Sequence, residues 1–192
     1  MKKMKSLAAV VLFLSMWLAG CAGEQNPDEK FEGIKEKLMA SVGDLTRIPT
    51  QVELTDQPYI KGKIAVFQEL EPVQFSGTKS SSAANKLYVL QNSYFREMQE
   101  SYATTPEEVG TVALLDCQKL QKGVYKTDSG REYPAEVEDC NLTMVDRSKQ
   151  AVIFKKKFEK TPSDERRAMG NFVGTQSAQE DVLQFLKGLP RK

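Results

Sequence analysis

The sequence contains no histidine among its 192 residues. Histidine is the usual general base near neutral pH and the commonest metal ligand, so its absence excludes Ser-His-Asp and Cys-His catalytic sites and histidine-based metal centres. Phosphate-binding P-loops, dinucleotide-binding glycine motifs and EF-hand calcium loops are also missing from the sequence. We therefore predict a protein without a cofactor, without a metal site and without enzymatic activity.

Long apolar runs and an excess of charge are lacking as well. The apolar stretch at residues 7–18 has 12 residues and is interrupted by Ser15. A helix that spans a bilayer needs about 20 apolar residues, so this stretch is too short to be one. The 27 basic and 26 acidic residues nearly balance. Nothing in this balance indicates a nucleic-acid partner.

The first 21 residues follow a recognisable order. Lys2, Lys3 and Lys5 form a positive start, and the apolar stretch follows them. The stretch ends in the tetrapeptide Leu-Ala-Gly-Cys at residues 18–21. Its small residues give a peptidase access to the backbone, as at the end of a secretory signal. With a cysteine directly after the small pair, the segment resembles the lipobox signal of bacterial lipoproteins.

The resemblance implies a lipid anchor at Cys21. The signal peptide, residues 1–20, would be removed, the thiol of Cys21 would carry a diacylglycerol, and the new amine an acyl chain such as palmitate. Two or three acyl chains hold a protein stably on a membrane. In diderm bacteria an aspartate after the cysteine often retains a lipoprotein at the inner membrane. Ala22 stands there instead, so the resemblance favours the inner face of the outer membrane if the organism is diderm.

If the signal peptide is removed, the remaining 172 residues divide into two parts. Residues 21–26 would be the lipidated cysteine and a short tether, which keeps the protein close to the membrane. Residues 27–192 would be one globular domain, since this length suits a single hydrophobic core. Without the three lysines of the signal, 24 basic residues face 26 acidic ones.

Two further cysteines, Cys117 and Cys140, remain in the domain. In an oxidising compartment such an even pair favours a disulfide. The alternative is a pair of free thiols that binds a metal. It is the weaker alternative because the two cysteines are far apart in sequence, no CxxC motif exists and histidine is absent.

Helices are predicted at both ends of the domain. Asn26 suits an N-cap and Pro27 the first helical position. The helix would run to about Gly43, with one apolar stripe of Phe31, Ile34, Leu38 and Val42. At the other end Ser177 and Glu180 predict a capping box. The apolar face of that second helix would consist of Val182, Phe185, Leu186 and Leu189.

Between the helices the pattern predicts five to seven strands. The clearest cover residues 64–70, 87–91, 111–117, 133–145 and 151–158, whereas residues 93–103 are ambiguous. Short turns join most of these strands, so we predict a mostly antiparallel sheet. The predicted fold class is α+β, with the two helices packed on one face of the sheet. We expect the aromatic residues Tyr88, Tyr94, Phe95 and Tyr102 to lie in the core rather than in an exposed partner groove.

Two charged clusters are candidates for function. The basic one consists of Lys155, Lys156, Lys157, Lys160, Arg166 and Arg167. It suits contact with anionic lipid head groups, lipopolysaccharide or a glycan, although a lysine-rich edge strand that resists pairing is the simpler interpretation. The acidic one consists of Glu132, Glu136, Glu138 and Asp139. Two facing carboxylates are enough for glycoside hydrolysis, but alternating acids usually mark the solvated face of a strand.

The sequence therefore predicts a membrane-anchored envelope lipoprotein with a non-catalytic role in binding or assembly. Its expected partners are the membrane, through the anchor, and an envelope protein or glycan. A carboxylate-dependent envelope hydrolase and a lipid carrier with an apolar cavity are the alternatives.

Overall fold

The computed structural model describes residues 26–70, 86–126, 130–162 and 176–192. Cys21, the signal segment and two members of the basic cluster, Arg166 and Arg167, lie outside these residues. The helices are α1 (Pro27–Ala40), α2 (Val42–Leu45), α3 (Asn92–Glu97) and α4 (Gln179–Lys187), and 3-10 turns lie at Gln99–Ser101 and Pro106–Glu108. The strands are β1 (Gln51–Val52), β2 (Lys63–Leu70), β3 (Leu87–Leu90), β4 (Val109–Lys126), β5 (Glu132–Asp146), β6 (Ala151–Phe158) and β7 (Gln176–Ser177).

The strands form one seven-stranded sheet in the order β1-β6-β5-β4-β2-β3, with β7 also paired to β5. The pairs β2–β3, β4–β5 and β5–β6 are antiparallel, whereas β1–β6, β2–β4 and β5–β7 are parallel. The α+β class is confirmed, but the prediction of a mostly antiparallel sheet is wrong because the sheet is mixed. The ambiguous segment, residues 93–103, forms most of α3 and the first 3-10 turn. The long connection from β3 to β4 brings β4 parallel to β2.

The centre of the sheet is covered on both faces. In β4, five consecutive residues, Thr111–Leu115, are buried. Consecutive strand residues point to opposite faces of a sheet, so both faces are shielded from water at this place. Helices on one face alone, as expected from the sequence, do not account for this burial.

The first helix begins where the sequence predicts, but its expected end near Gly43 is wrong because Gly43 lies in α2. The side chain of Asn26 accepts a hydrogen bond from the backbone N–H of Asp28 at 3.1 Å, and the helix ends at Ala40. Three of the four residues of the predicted stripe are buried, namely Phe31, Ile34 and Leu38. The Phe31 ring lies 5.4 Å from the ring of Phe95 between centroids, so α1 packs against α3.

The aromatic residues Tyr88, Tyr94, Phe95 and Tyr102 are all buried, as predicted. Phe95 and Tyr102 meet edge to face at 5.7 Å between ring centroids. The hydroxyl of Tyr102 accepts from the Val66 N–H at 3.3 Å and lies 3.4 Å from the Val66 carbonyl oxygen. Burial raises the pKa of Tyr102, because the phenolate form would be charged inside the core. These rings hold the helices on the sheet.

The start of the last helix differs from the prediction. The helix begins at Gln179, and Ser177 lies before it in β7. The Ser177 hydroxyl accepts from the Gln179 N–H at 3.1 Å and donates to the carboxylate of Glu138. Glu180 accepts from the side chain of Gln184 at 2.7 Å. The predicted capping box is therefore wrong, because Ala178 is the N-cap of the helix and Glu180 binds Gln184 and not the backbone of Ser177.

The apolar face of α4 is close to the predicted one. Its buried residues are Val182, Leu183 and Leu186. Phe185 is half-buried, and its ring stacks on that of Phe154 at 5.3 Å between centroids. The helix therefore docks on the β6 side of the sheet through Phe185 and on the core through the buried aliphatic residues.

Candidate functional sites

The disulfide predicted from the sequence is present between Cys117 and Cys140. The two residues lie directly opposite each other on β4 and β5, with Cα atoms 4.1 Å apart. A separation above about 7 Å would prevent the bond without backbone movement. The prediction is confirmed because the antiparallel register of the two strands brings the cysteines together.

Beyond the disulfide, β4 leaves the core. The seven residues Gln118–Val124 are all exposed, including the apolar side chains of Leu120 and Val124. The pairing of β2 with β4 ends at Asp116, and past that point no other described residue pairs with this edge of β4. We call residues 118–126 and 132–139 the β4–β5 arm. The disulfide links the two strands of the arm at its base.

The structure does not gather the predicted basic cluster on one surface. Lys155, Lys156 and Lys157 are exposed on β6, where alternate residues point to opposite faces of the sheet. The ammonium group of Lys156 lies over the rings of Phe158 and Phe185, 4.8 Å and 4.9 Å from their centroids. Lys156 therefore covers apolar surface and is separated from its two neighbours.

Two other members of the basic cluster are close to acids. The ammonium group of Lys160 is 2.7 Å from the carboxylate of Asp181, and that of Lys157 is 3.8 Å from Asp139. These pairs offset part of the positive charge. Because Arg166 and Arg167 are outside the described residues, contact of the cluster with an anionic surface stays a prediction.

The four predicted acids are also distributed over different surroundings. Glu132 pairs with Lys126 at 3.0 Å in the arm. Asp139 is buried and accepts from the ammonium group of Lys122 at 2.7 Å and from the Lys160 N–H at 2.9 Å. Burial raises the pKa of Asp139, but these donors outweigh it and hold the pKa below its usual value. Asp139 is therefore a structural carboxylate that joins the arm to the end of β6.

Of the predicted acids, Glu138 lines a cleft. The cleft has a volume of 300 Å³ and lies where α3, α4 and β5 meet. We call it the Glu138 cleft, and its lining residues are Ser93, Tyr94, Glu138, Ser177, Gln179, Glu180 and Leu183.

The Glu138 cleft contains two carboxylates, those of Glu138 and Glu180. Glu138 accepts from the side-chain amide of Gln179 at 3.1 Å, and the Tyr94 hydroxyl donates to the Gln179 carbonyl at 3.2 Å. Burial raises the pKa of Tyr94, and the charges of Glu180 and Glu138 raise it further. The sequence does not indicate this pair, because Glu180 follows Ser177 at the spacing of a helix cap.

A second cleft lies at the C-terminal end of β5 and has a volume of 410 Å³. We call it the Tyr59 cleft, and its lining residues are Glu53, Thr55, Tyr59, Lys61, Asp146, Ser148, Lys149, Ile153 and Lys192. No local pattern in the sequence indicates this cleft, because its residues come from separate segments of the chain.

Asp146 is the central polar residue of the Tyr59 cleft and is only 1% exposed. One carboxylate oxygen accepts from the Tyr59 hydroxyl at 2.9 Å. The other accepts from the Ser148 N–H at 2.9 Å, the Ser148 hydroxyl at 2.6 Å and the Lys149 N–H at 3.2 Å. Four donors thus satisfy the buried charge, and they fix both the turn after β5 and the ring of Tyr59.

The donors around Asp146 make stability depend on pH. Burial raises the pKa of Asp146, but the hydrogen bonds from Ser148, Tyr59 and Lys149 outweigh it, so the pKa of the folded state lies below its usual value. A carboxyl whose pKa is depressed by folding stabilises the protein above its unfolded pKa of about 3.9. That contribution is lost as the pH falls through the lower pKa of the folded state.

Asp146→Asn should therefore lower the free energy of unfolding by about 1–2 kcal/mol at neutral pH, because hydrogen bonds to a charged acceptor are replaced by weaker ones. The variant should also lose less stability than the parent on acidification from pH about 5 to about 2. Urea unfolding at a series of pH values measures both effects. Asp56→Asn, at an exposed residue, is the matched control. Parallel pH profiles of the parent and Asp146→Asn would contradict the assignment.

Comparison of the chain with models of protein families, with curated proteins and with solved structures finds no match. In the described part of the chain, every helix is too short or too polar to cross a membrane.

Proposed function

We propose that the protein is a lipid-anchored envelope lipoprotein outside the cytoplasm, with a non-catalytic role in binding or assembly. The lipobox-like segment that ends at Cys21 supports the anchor. The Cys117–Cys140 disulfide supports the location, since disulfides persist in oxidising compartments and are rare in the cytosol. With Ala22 after the lipidated cysteine, we place the protein on the inner face of the outer membrane in a diderm organism.

The proposed binding role rests on the β4–β5 arm. Its β4 strand projects from the core with an open edge among the described residues, and open edges accept a further strand from a partner. The disulfide fixes the base of the arm, so less conformational freedom is lost on binding. Lys119 lies exposed on this strand and disfavours pairing between two copies, because like charges would meet. An envelope protein that adds a strand to β4 is thus the partner we propose.

Cys21→Ser tests the anchor. The change removes the thiol that would receive the diacylglycerol, so we expect the variant to keep its signal segment. The parent should partition into the detergent phase as a mature chain, and the variant should not be processed. Cys117→Ser with Cys140→Ser is the matched control, since it also removes thiols but leaves Cys21 in place. Normal processing and unchanged membrane association of Cys21→Ser would contradict the proposal.

Tryptophan emission gives a second measurement of the same cleavage. Trp17, the one tryptophan of the sequence, belongs to the segment expected to be removed. Protein purified from native membranes should therefore emit tyrosine fluorescence without a tryptophan band. A clear tryptophan band would mean that the signal is retained.

A carboxylate-dependent envelope hydrolase is the second candidate. The Glu138 cleft favours it, because Glu138 and Glu180 line the same cleft and glycoside hydrolysis uses two carboxylates. The discriminating measurement is the release of reducing sugar from purified peptidoglycan. Release that is abolished by Glu138→Gln and by Glu180→Gln, but not by Glu136→Gln in the exposed arm, would favour the hydrolase. Both clefts described above have polar side chains in their lining, so neither supports the lipid carrier.

A further inference from the structure

The pairing of β4 with β5 determines which backbone groups of β4 point to its open edge. Opposite residues of antiparallel strands alternate between hydrogen-bonded pairs, with Cα atoms about 5.5 Å apart, and non-hydrogen-bonded pairs, with Cα atoms about 4.5 Å apart. The Cα atoms of Cys117 and Cys140 are 4.1 Å apart, so this pair is of the second kind. The backbone N–H and C=O of Cys117 therefore point away from β5.

Two hydrogen bonds agree with this alternation. At the start of β4 the Gly110 carbonyl accepts from the Arg147 N–H at 3.0 Å, so a residue seven positions before Cys117 binds on the β5 side. In the arm the Glu138 carbonyl accepts from the Ala178 N–H at 2.9 Å and therefore points away from β4. Glu138 lies opposite Lys119, so these two residues also form a non-hydrogen-bonded pair.

Two residues of the arm thus direct backbone groups to the open edge. By the same alternation the N–H and C=O of Lys119 and Gln121 point to this edge, whereas those of Gln118 and Leu120 point to β5. The pairing of β2 with β4 ends at Asp116, and no described residue pairs with the edge beyond it. Donors and acceptors are therefore available to an added strand at Lys119 and at Gln121.

The charge nearest to an added strand is that of Lys119. None of the ion pairs among the described residues involves Lys119. The other two lysines of the arm are paired, Lys122 with Asp139 and Lys126 with Glu132. The remaining acids, Glu136 and Glu138, are on β5 and would be two strand spacings, about 9.6 Å, from the added strand, whereas Lys119 would be one spacing, about 4.8 Å, away. Salt screens the longer interaction more strongly, so a carboxylate suits the position beside Lys119.

We propose that an extended segment of the envelope partner binds the backbone of Lys119 and Gln121, with an acidic residue beside Lys119 and an apolar residue beside Leu120. Leu120 is exposed and, as the next residue of the strand, points to the opposite face from Lys119. A segment in which acidic and apolar residues alternate therefore matches both faces. This inference rests on the proposed addition of a strand to β4 and gives the partner a sequence pattern.

Two identical substitutions test the assignment of the backbone groups. Proline has no N–H, so Gln118→Pro removes a hydrogen bond to β5, whereas Gln121→Pro removes a donor that points to the open edge. Gln118→Pro should lower the melting midpoint of the full chain by about 5 °C or more, and Gln121→Pro by less than about 2 °C. Equal shifts for the two variants would overturn the assignment.

Titration of the purified full chain with three symmetrical heptapeptides tests the binding. Each has a central valine, two threonines at each end, and either glutamate, lysine or glutamine on both sides of the valine, so the direction of the added strand does not matter. We expect the glutamate peptide to bind most tightly and to shift the amide resonances of residues 118–121. Gln121→Pro should weaken its binding about fivefold, as the loss of one hydrogen bond predicts. Lys119→Glu should transfer the preference to the lysine peptide, and Lys37→Glu, at an exposed lysine of α1, is the matched control.

The outcomes separate this inference from the proposed function. Binding at residues 118–121 without preference for glutamate, or with full affinity in Gln121→Pro, would overturn the inference and leave the addition of a strand to β4 in place. Failure of all three peptides to shift these resonances would contradict the strand addition itself. The lipid anchor is tested separately through Cys21.

Discussion

Gly110→Ala is expected to destabilise the protein by about 3 kcal/mol, near the upper end of the usual cost of overpacking a core. Gly110 is the extra residue of a bulge in β4, since Lys63 pairs with Val109 and Ile64 with Thr111. A Cβ at this position would lie 2.2 Å from the carbonyl oxygen of Lys61 and 2.9 Å from its carbonyl carbon. The clash is with backbone, which cannot swing away as a side chain can.

The hydrogen bonds around Lys61 make relief of this clash costly. Thr111 binds both the N–H and the carbonyl of Lys61, so the segment cannot move without breaking them. The carbonyl of Gly110 also accepts from the Arg147 N–H at 3.0 Å, which ties the bulge to the turn after β5. We therefore expect the variant to lose stability and to weaken the Tyr59 cleft, which contains Lys61.

Gly33→Ala is the matched control. Gly33 lies inside α1, and an added Cβ would meet no other atom within 4 Å. Alanine should stabilise the helix there by about 0.8–1 kcal/mol, so the two identical substitutions should have opposite signs. Urea unfolding of the parent and the two variants measures both effects. A Gly110→Ala variant as stable as the parent would show that the strands separate more easily than the hydrogen bonds indicate.

Replacement of both Cys117 and Cys140 by serine is expected to lower the free energy of unfolding by about 3 kcal/mol, because the bond restricts the unfolded chain. The bond closes a loop with a sequence separation of 23 residues, which contains the whole β4–β5 arm. Both residues are buried at the place where β4 leaves the core. Without the bond the arm should also open locally more often, since β2 does not support its β4 strand.

Reduction of the disulfide provides an independent control. A reductant should shift the unfolding midpoint of the parent toward that of the double-serine variant and leave the variant unchanged. Amide hydrogen exchange should show the largest loss of protection in residues 118–126 and 132–139. Equal midpoints with and without reductant, with the bond shown to be broken, would mean that strand pairing alone holds the base of the arm.

The elements that the sequence predicted well are those specified by local pattern. Strand β6 has the predicted bounds, residues 151–158, and α1 begins at the predicted cap, Asn26. In each case the turn or cap residue lies next to the apolar residues of the same element. The information that predicts the element therefore lies within one segment of the sequence. The disulfide could also be predicted, because each of the two cysteines of the domain has only the other as a possible partner. The predicted capping box at Ser177 failed because Ala178 is the N-cap of the helix, which places Ser177 one residue too early, and because Glu180 binds Gln184.

The α+β class, most strands, the disulfide and the burial of the aromatic residues could all be predicted from local sequence patterns. Hydrophobic periodicity reports which face of a segment is buried, and that information is local. The parallel pairing of β2 with β4 and the contact of Tyr59 with Asp146, which are 87 residues apart, arise in the tertiary structure. Such contacts depend on how all segments pack around one core. For this reason the Tyr59 cleft has no signature in any single stretch of the chain.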